Sequence, residues 1–323
     1  MKILVTGGAG FIGSNFIRYY LNKYPKRSIV NLDKLTYAGN LNNLKDIENN
    51  PYYKFVKGDI GNINILDQIL PSVDTVLNFA AESHVDNSIT GPKVFIETNV
   101  LGTQVLLDAC VQHKITRFHH ISTDEVFGDL ELDSKDKFNE NTNYNPHSPY
   151  SASKASSDHL VRAYGTTYGL KYTITNCSNN YGQYQHPEKL IPKFITNLLL
   201  DKKVPVYGEG KNIRDWLYVL DHCEAVDLTL EKGLIGETYC IGGQTEEINN
   251  LELTKLIIKI CGKDESYIEY AQDRKGHDKK YSVDWSKAKN KLGYNPKHNF
   301  EENIIKTVDW YKKNEWWWRV LIK

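Results

Sequence analysis

Short apolar, β-branched runs alternate along the first half of the chain with segments whose apolar residues recur at helical spacing. The predicted strands are Lys2 to Thr6, Ser28 to Leu32, Tyr53 to Lys57, Thr75 to Phe79, Arg117 to Ser122 and Tyr172 to Asn176. Helical spacing is found between most of them, as in Phe11 to Tyr24, Ile63 to Leu70 and Pro92 to His113. Strands that alternate with helices pair in parallel, and the helices cover both faces of the sheet. The pattern therefore predicts a doubly wound α/β domain.

The alternation breaks down after about residue 180. Stretches rich in Pro and Gly then separate shorter helical runs. We therefore predict a first domain over residues 1–180 and a second, smaller, loop-rich α/β domain over 181–323, with segments of about 212–243 able to pack back onto the first. The aromatic end, Trp316 to Trp318, is expected to pack against the body of the protein.

The charge balance excludes a strongly basic or acidic protein. The 323 residues include 40 Lys and Arg and 40 Asp and Glu, so the formal net charge is zero, and the apolar fraction of 40% is enough for real cores. No global field points to nucleic acid or to a membrane surface, and neither is expected as a partner. An anionic ligand must therefore be held by a local site.

The remaining composition favours a cytoplasmic protein. No apolar run approaches the roughly 20 residues of a membrane span, and the N-terminus lacks the pattern of a secretory signal. The five cysteines are scattered, without a CxxC pair or a histidine at ligand spacing. We expect reduced, mostly buried thiols and no metal site.

A glycine triplet follows the first predicted strand and opens the first predicted helix. Gly7, Gly10 and Gly13 are suited to a tight turn that brings a dinucleotide pyrophosphate to the helix N-terminus. A tight strand-to-helix turn can also need glycine for backbone reasons alone. Asp33, at the end of the second strand, favours NAD over NADP because a carboxylate accepts hydrogen bonds from the ribose and repels a 2′-phosphate. Asp59 with Ile60, after the third strand, fits an adenine edge, although either acid could be a turn residue.

Tyr150 and Lys154 lie four residues apart on a helix predicted to start just after Pro149, and so share one face. A lysine ammonium and a positive nicotinamide ring both favour the phenolate of a tyrosine, whose ordinary pKa is about 10. The phenolate can then take a hydroxyl proton while the carbon transfers hydride to NAD. At this point the chain resembles the extended short-chain dehydrogenase/reductase family, with its Rossmann-like fold, in which Thr123 fills the place of the upstream hydroxyl.

Asp124 and Glu125 follow Thr123 directly at the end of the fifth strand, where open α/β sheets bind ligands. Dehydrogenation alone needs neither acid, so the pair suggests two further proton transfers. Once a sugar C4 hydroxyl has become a ketone, a carboxylate can remove the acidified C5 proton and a protonated carboxyl can assist loss of the C6 hydroxyl. The sequence thus predicts loss of water, and the alternative is a pair of solvated loop acids.

Seven stretches closely resemble the family of dTDP-glucose 4,6-dehydratases. They are TGGAGFIGS from Thr6, DKLTYAGN from Asp33, AAESHVDNSI from Ala80, HISTDEVFGDL from His120, YSASKASSDHLVRAY from Tyr150, TNCSNNYG from Thr175 and KNIRDWLYV from Lys211. The resemblance implies NAD as cofactor and dTDP-glucose as substrate. It also implies that Tyr150 is the base for C4 oxidation, Asp124 the acid and Glu125 the base of dehydration, with Lys154 and Thr123 orienting and polarising.

The resemblance implies two sets of contacts and a quaternary structure. Implied cofactor contacts are Gly7, Gly10, Phe11, Ile12, Gly13, Asp33, Lys34, Leu35, Thr36, Asp59, Ile60, Phe79, Ala80, Ala81, Ser83, Thr98, Tyr150, Lys154 and Asn180. Implied substrate contacts are Ser83, Thr123, Asn179, Lys189, Leu190, Pro205, Val206, Tyr207, Arg214, Asn249, Asp273, Arg274 and His277. A guanidinium such as Arg214 suits a diphosphate, although a structural salt bridge is its alternative. The family pairs its subunits through two helices, so we expect a homodimer, and its products usually enter deoxysugar (rhamnose) biosynthesis.

Three residues depart from the family pattern, and two other functions stay open. Phe127 replaces a usual tyrosine, while Gln183 and Lys275 replace usual prolines, which puts substrate affinity in more doubt than chemistry. A sugar-nucleotide 4-epimerase shares the glycine turn, Tyr150 and Lys154 but has no need of the two acids. A non-catalytic NAD-sensing protein would need none of the catalytic groups.

Overall fold

The computed structural model describes residues 1–243, 247–274 and 276–322. Within these ranges the strands are β1 (Lys2–Thr6), β2 (Ser28–Asp33), β3 (Tyr53–Lys57), β4 (Thr75–Asn78), β5 (Arg117–Thr123), β6 (Tyr172–Cys177), β7 (Asn179–Tyr181), β8 (Val204–Tyr207), β9 (Ile213–Arg214), β10 (Trp216–Tyr218), β11 (Thr238–Ile241), β12 (Ile248–Asn249) and β13 (Ile268–Ala271). The α-helices are α1 (Phe11–Lys23), α2 (Ile63–Ile69), α3 (Val85–Thr90), α4 (Lys93–Phe95), α5 (Thr103–Gln112), α6 (Pro149–Tyr168), α7 (Leu190–Leu199), α8 (Val219–Lys232), α9 (Asn250–Ile260), α10 (Ser286–Leu292), α11 (Phe300–Lys313) and α12 (Glu315–Trp318). Short 3₁₀ turns and one π-helical segment, Ile96–Gly102, complete the chain.

Seven strands form one sheet in the order β11-β6-β5-β4-β1-β2-β3, and every pairing in it is parallel. The six predicted strands are all present in it, with ends that differ by at most one residue. The chain builds β2 and β3 on one side of β1 and then continues with β4, β5 and β6 on the other side. The predicted doubly wound, Rossmann-like fold is confirmed. The order in which the chain adds strands to the sheet reverses between β1 and β4. Open α/β sheets bind their ligands at such a reversal.

The sheet takes its seventh strand and one of its covering helices from the second half of the chain. β11 pairs with β6, with Thr238 opposite Ile174. Helix α8 packs against α1, and its Val219 and Cys223 share a core cluster with Phe16. The segments of about 212–243 thus include elements that lie on the first domain. Strand β11 was not predicted because it has four residues without alternating apolar and polar positions, which is too short for periodicity to reveal it.

The rest of the second half packs around its own apolar core. Helices α7, α9 and α11 meet there, together with the aromatic end of the chain. Trp317 and Trp318 are buried, while Trp316 is 54% exposed. The expectation that the tryptophans pack against the body therefore holds for two of the three.

The predicted helix from Pro92 to His113 is observed as one unbroken helical segment over 93–112, and its part Ile96–Gly102 is π-helical. By length and composition this segment, 93–112, could cross a membrane, but 44% of its most apolar window is buried inside the protein. Core helices of soluble proteins pass the same test, so the segment is weak evidence for a span. The five cysteines are free thiols, four of them buried.

Candidate active site

The glycine turn places bare backbone at the centre of the sheet's carboxyl edge. Gly7 has φ +67°, and a Cβ there would lie 2.7 Å from the backbone of Ala80. A Cβ on Gly13 would lie 2.5 Å from the Gly7 carbonyl oxygen. Helix α1 begins after Gly10 with no side-chain cap, so its first N–H groups stay available to a ligand. An uncapped helix N-terminus beside glycine backbone fits a pyrophosphate.

Asp33 ends β2 and organises the loops beside this turn. Its buried carboxylate accepts hydrogen bonds from the Ala9 and Leu35 N–H groups, both at 2.8 Å. Burial raises the pKa of Asp33, and the two backbone donors oppose that shift. Beside it, Lys34 pairs with Asp59 at 2.7 Å. Asp33 therefore fixes the loop geometry while its side chain lines the cleft where a ribose would lie.

A cleft of about 290 Å³ runs along this edge of the sheet. Of the residues predicted to contact the cofactor, it is lined by Gly7, Gly10, Phe11, Ile12, Gly13, Asp33, Lys34, Thr36, Asp59, Ile60, Phe79, Ala80, Ala81, Ser83, Thr98, Tyr150, Lys154 and Asn180. Leu35 does not line it. The residues present thus fit a dinucleotide stretched from the glycine turn to the start of α6.

Helix α6 presents the predicted tyrosine and lysine to this cleft. It starts at Pro149, as predicted, because Ser148 and Ser151 form a reciprocal capping box and proline suits the first turn. Tyr150 and Lys154 are both buried and both line the cleft. The Lys154 ammonium donates to the Ile121 carbonyl oxygen at 2.7 Å.

Burial acts on the two groups in opposite directions. It raises the pKa of Tyr150 well above its usual value, with the charges of Glu125 and Asp124 adding to the shift and a hydrogen bond from Thr123 opposing it. It lowers the pKa of Lys154, and Asp158 opposes that shift. The phenol therefore needs a neighbouring positive charge before it can act as a base near neutral pH.

The two acids after Thr123 occupy different environments. Glu125 lines the cleft, whereas Asp124 is fully buried and its Oδ2 has no hydrogen-bond partner among the described residues. Burial raises the pKa of Asp124 well above its ordinary value, and the charges of Glu125 and Asp215 raise it further. Burial also raises the pKa of Glu125, but the cations of Lys189, Arg274 and Arg214 oppose the shift. Both pKa values are therefore raised, but the pKa of Glu125 is opposed by cations, and unequal environments of this kind are typical of an acid and base pair.

Thr123 connects the two acids to the cleft. Its hydroxyl lies 3.3 Å from Asp124 Oδ1 and accepts the Glu125 N–H at 3.2 Å. The Asn176 amide donates to the Thr123 carbonyl at 3.0 Å and fixes the end of the strand. Asp124 is thus enclosed, and the hydroxyl that contacts it belongs to Thr123, a residue that lines the cleft.

A second cleft of about 170 Å³ continues from the first and shares Glu125, Asn179, Asn180 and Lys189 with it. Predicted substrate residues that line one or both clefts are Ser83, Thr123, Asn179, Lys189, Leu190, Pro205, Val206, Tyr207, Arg214, Arg274 and His277. Asn249 and Asp273 line neither. Asn249 caps α9 by accepting the Glu252 N–H, and Asp273 binds His277 at 2.6 Å.

Arg214 has the environment expected of an anion-binding residue. Its guanidinium lies 4.3 Å above the Tyr281 ring. Among the described residues, its hydrogen bonds go to backbone carbonyls, including that of Asp278 at 2.9 Å. Carbonyls hold the side chain in place without neutralising its charge, so the charge stays available to a diphosphate.

The structure also places residues at the clefts that sequence reasoning missed. They include His84, Asp86, Cys177, Gln185, Glu188, Asn250 and Tyr281. They lie in loops or at the ends of helices and strands, where periodicity gives no signal. A buried group behind the cleft, Asp158, carried a signal that was overlooked, because it lies four residues after Lys154 on the same helix.

The departures from the family pattern sit beside the site. Phe127 packs against the rings of Phe138 and Tyr144, in each case with 5.3 Å between centroids. The Gln183 side chain donates to Asn15 on α1 at 3.1 Å, so it tethers the loop that a proline would have stiffened. Lys275 lies outside the described residues.

Among the described residues, one cluster of potential metal ligands is present. Single ligand atoms of Asp129, His147 and Asp278 lie within 4.8 Å of one another. His147 already hydrogen-bonds Asp278 at 2.7 Å, which gives the cluster a structural explanation.

Comparisons with known proteins find relatives that match nearly the whole chain. The family model described as GDP-mannose 4,6 dehydratase matches residues 4–307. A dTDP-glucose 4,6-dehydratase from Escherichia coli is 50% identical over 99% of this chain and 96% of its own length. DesIV, a dTDP-glucose 4,6-dehydratase from Streptomyces venezuelae solved with NAD and dTDP, is 48% identical with a TM-score of 0.97, covering 100% of both chains. A UDP-glucose 4-epimerase from Thermotoga maritima is less similar, at 31% identity and a TM-score of 0.89, covering 98% of this chain and 100% of that one.

Proposed function

The chain belongs to the dTDP-glucose 4,6-dehydratase family, within the extended short-chain dehydrogenases/reductases, and we propose that its two connected clefts carry out that reaction. It is an NAD-dependent hydro-lyase that converts dTDP-glucose into dTDP-4-keto-6-deoxyglucose. The observation that carries the assignment within the site is the pair of carboxyls, Glu125 in the cleft and Asp124 behind it, beside Tyr150 and Lys154.

The uncapped start of α1 and the bare glycine backbone would hold the NAD pyrophosphate, and Asp33 the adenosine ribose. Tyr150, Lys154 and Asn180 would lie at the nicotinamide end. When bound there, NAD supplies reversible hydride transfer, from C4 at the start of the cycle and to C6 at its end. No net oxidation results, so we propose that the cofactor stays bound between turnovers.

The protein's own residues move the protons. Tyr150, deprotonated under the charge of Lys154, takes the C4 hydroxyl proton. Glu125 then removes the C5 proton, which the new ketone has acidified. Asp124, held protonated by burial, gives its proton to the Thr123 hydroxyl as Thr123 passes its own proton to the departing C6 hydroxyl, and water leaves. When C6 receives hydride, Glu125 returns its proton to C5, and the proton that Tyr150 took from the C4 hydroxyl restores Asp124.

We propose that the second cleft holds the nucleotide. Arg214 supplies a buried guanidinium for the diphosphate, and among the described residues its hydrogen bonds go to backbone carbonyls. The stretch Pro205 to Tyr207 also lines this cleft, and its apolar surface suits a pyrimidine ring. In this arrangement residues 1–180, with the returning segments of 212–243, form the cofactor-binding domain, and the rest of 181–323 binds the sugar nucleotide.

We also propose a cytoplasmic homodimer that pairs through the segment 93–112 and α6. Val94, Ile96 and Leu101 are exposed apolar residues on the first segment, and the exposed positions of α6 include the small residues Ser156 and Ala163. Small residues beside apolar ones allow close helix packing across a two-fold axis. Leu101→Arg should convert a dimer to a monomer in light scattering, whereas a monomeric wild-type protein would contradict the proposal.

The reaction is tested by incubating the purified, NAD-loaded protein with dTDP-glucose and no added NAD. Mass spectrometry should find a product lighter by one water. A product of unchanged mass but altered C4 configuration would instead indicate a 4-epimerase, and NAD binding without turnover would indicate a sensor. Glu125→Gln should block loss of water yet still allow bound NADH to form, which is seen as a rise in absorbance at about 340 nm. Equal turnover by that variant would remove Glu125 from the mechanism.

A further inference from the structure

Three titratable residues follow one another along the buried face of α6. Tyr150, Lys154 and Asp158 are each four residues apart, so their side chains lie one turn apart on the same face. The Asp158 side chain is fully enclosed, at 0% exposure. A carboxylate in such a place must be compensated by hydrogen bonds or by a nearby cation.

The hydrogen bonds to Asp158 come from uncharged donors. Its Oδ2 accepts the Ser122 hydroxyl at 2.9 Å, the Tyr144 hydroxyl at 2.7 Å and the Asn176 amide at 3.3 Å. These donors hold the carboxylate in place and leave its negative charge intact. The other oxygen, Oδ1, has no hydrogen-bond partner among the described residues and points toward β5.

A single imidazole lies between that oxygen and the catalytic lysine. His120 Nε2 is 3.4 Å from Asp158 Oδ1 and 3.3 Å from Lys154 Nζ. Burial and the charge of Lys154 hold the pKa of His120 well below its ordinary value, so the ring is neutral and adds no positive charge. The carboxylate therefore acts on Lys154 across one neutral ring in a dry interior, where Coulomb interactions are strong.

We propose that Asp158 is a positioning residue that keeps Lys154 protonated beside Tyr150, acting across His120. The inference rests on the proposed function, because it concerns the lysine assigned to C4 oxidation. Groups that face this pair from the surrounding elements are Asn78 on β4, His120 and Ser122 on β5, Asn176 and Cys177 on β6, Tyr144 in the loop before α6, and Tyr150 and Arg162 on α6. Among these groups Asp158 carries the negative charge that opposes the lowering of the Lys154 pKa, so its removal leaves the buried ammonium with its hydrogen bond to the neutral Ile121 carbonyl.

The first test measures Lys154 directly, without substrate or turnover. The ¹³Cε resonance of Lys154 is assigned by its loss in Lys154→Met and followed against pH in ¹³C-lysine protein. Wild type should keep its ammonium at neutral pH, and Asp158→Asn should lower the titration midpoint by about one pH unit or more, a tenfold change in protonation. Asp158→Glu should restore the wild-type midpoint. An unshifted midpoint in Asp158→Asn would overturn the proposal.

Wild type and Asp158→Glu together decide the case in which Asp158→Asn does not fold. A Lys154 resonance that is already neutral at pH 7, roughly the working pH, would contradict the proposal without any variant. A resonance that stays an ammonium there, with Asp158→Glu matching it, would support the proposal.

The second test follows C4 oxidation as bound NADH in the Glu125→Gln background, across pH. The rate should rise as Tyr150 loses its proton and fall as Lys154 loses its own. Asp158→Asn should narrow the pH range of C4 oxidation from both sides. Lys154 then loses its proton at a lower pH, and the Tyr150 phenolate, without that positive charge, forms at a higher pH. A purely structural role would instead lower the rate by one factor at every pH.

Two controls separate charge from packing. Ser122→Ala removes a hydrogen-bond donor but keeps the Asp158 carboxylate. The rising and falling limbs of the pH–rate profile should therefore stay within about a few tenths of a pH unit of their positions without this substitution. Asp227→Asn removes another fully buried carboxylate, on α8 beside Lys23, and should also leave the limbs unmoved. Absence of NADH even with Glu125→Gln alone would disprove the proposed function while leaving the lysine titration interpretable.

Discussion

The cofactor side of the cleft is built largely from backbone at the ends of consecutive strands, whereas the substrate side is built from side chains of separated segments. On the first side, Gly7, Gly13 and Ala80 meet so closely that a Cβ would overlap main-chain atoms. On the second side, Arg214 reaches the cleft from the short strand β9 and Arg274 from a loop. Backbone sites tolerate little change, while side-chain sites can be altered one contact at a time. The two sides should therefore respond differently to substitution.

The largest effect is expected from Gly7→Ala, which attacks the backbone side. Ala at φ +67° is strained, and its Cβ would meet the Ala80 backbone at 2.7 Å. NAD should be lost on purification, and the melting temperature should fall by roughly ten degrees or more.

Gly169→Ala is the matched control, because Gly169 has a similar φ of +71° with nothing within 4 Å of a Cβ. It should cost only about 1 kcal/mol of unfolding free energy and retain NAD. Equal losses in the two variants would show that strain alone, not the close approach of backbone, matters at Gly7.

Arg214→Lys should affect only the substrate side. Lysine keeps the charge but loses the planar fork and its stacking on Tyr281. Losing a charge-assisted hydrogen bond costs about 1.5–3 kcal/mol, so KM for dTDP-glucose should rise about 10- to 100-fold. The NAD content, measured by absorbance after denaturation, should be unchanged. A fall in NAD content would show that the two sides are not separable in this way.

The sheet beneath the cofactor side should carry a pH-dependent share of stability through His119. Burial lowers the pKa of His119 to about 3, and its ring is hydrogen-bonded to Thr173 and Thr175. The pKa of His119 is therefore lower in the folded protein than in the unfolded protein, where it is about 6.5. The resulting contribution to the free energy of unfolding is present above that unfolded pKa and is lost as the pH falls toward the folded pKa. Relative to His119→Gln, wild type should lose about 2 kcal/mol of unfolding free energy between pH 8 and pH 5.

Urea unfolding of the two proteins at equal NAD loading measures this difference. His159→Gln is the control, because His159 is exposed on α6. The difference in unfolding free energy between this variant and wild type should not shrink as the pH falls. Parallel curves for His119→Gln and wild type would contradict a neutral, buried His119.

The smallest effect tests whether the second half of the chain supports the cofactor loop. The Trp317 indole donates to Asn43 at 2.7 Å, and Asn43 donates to the Ala9 carbonyl in the glycine turn at 2.8 Å. Trp317→Phe removes about 1 kcal/mol of hydrogen bonding and should speed NAD dissociation about fivefold in stopped-flow experiments.

Trp318→Phe is the matched control. It also breaks a 2.7 Å indole hydrogen bond, but to Tyr311 within the same core. It should lower stability by a similar amount without changing NAD dissociation. Equal dissociation rates in both variants would mean that Trp317 contributes packing alone.

The sequence was most informative where function depends on local order. Six parallel strands, the glycine turn, Asp33 and the start of α6 were predicted within a residue or so, because each depends on hydrophobic periodicity, on backbone freedom or on caps between near neighbours. The spacing from Tyr150 to Lys154 likewise needed only helix geometry. The same spacing would have indicated Asp158, had burial been known.

Only the tertiary structure decided the rest. It brought β11 into the sheet, put Asn250 rather than Asn249 at the cleft, and enclosed Asp124 while leaving Glu125 lining the cleft. Sequence neighbours such as these carboxyls differ in pKa because desolvation depends on what surrounds them in space. The sequence thus determined which chemical groups are available, and the packing of distant segments determined which of them is enclosed, which lines the cleft and which has an opposite charge nearby.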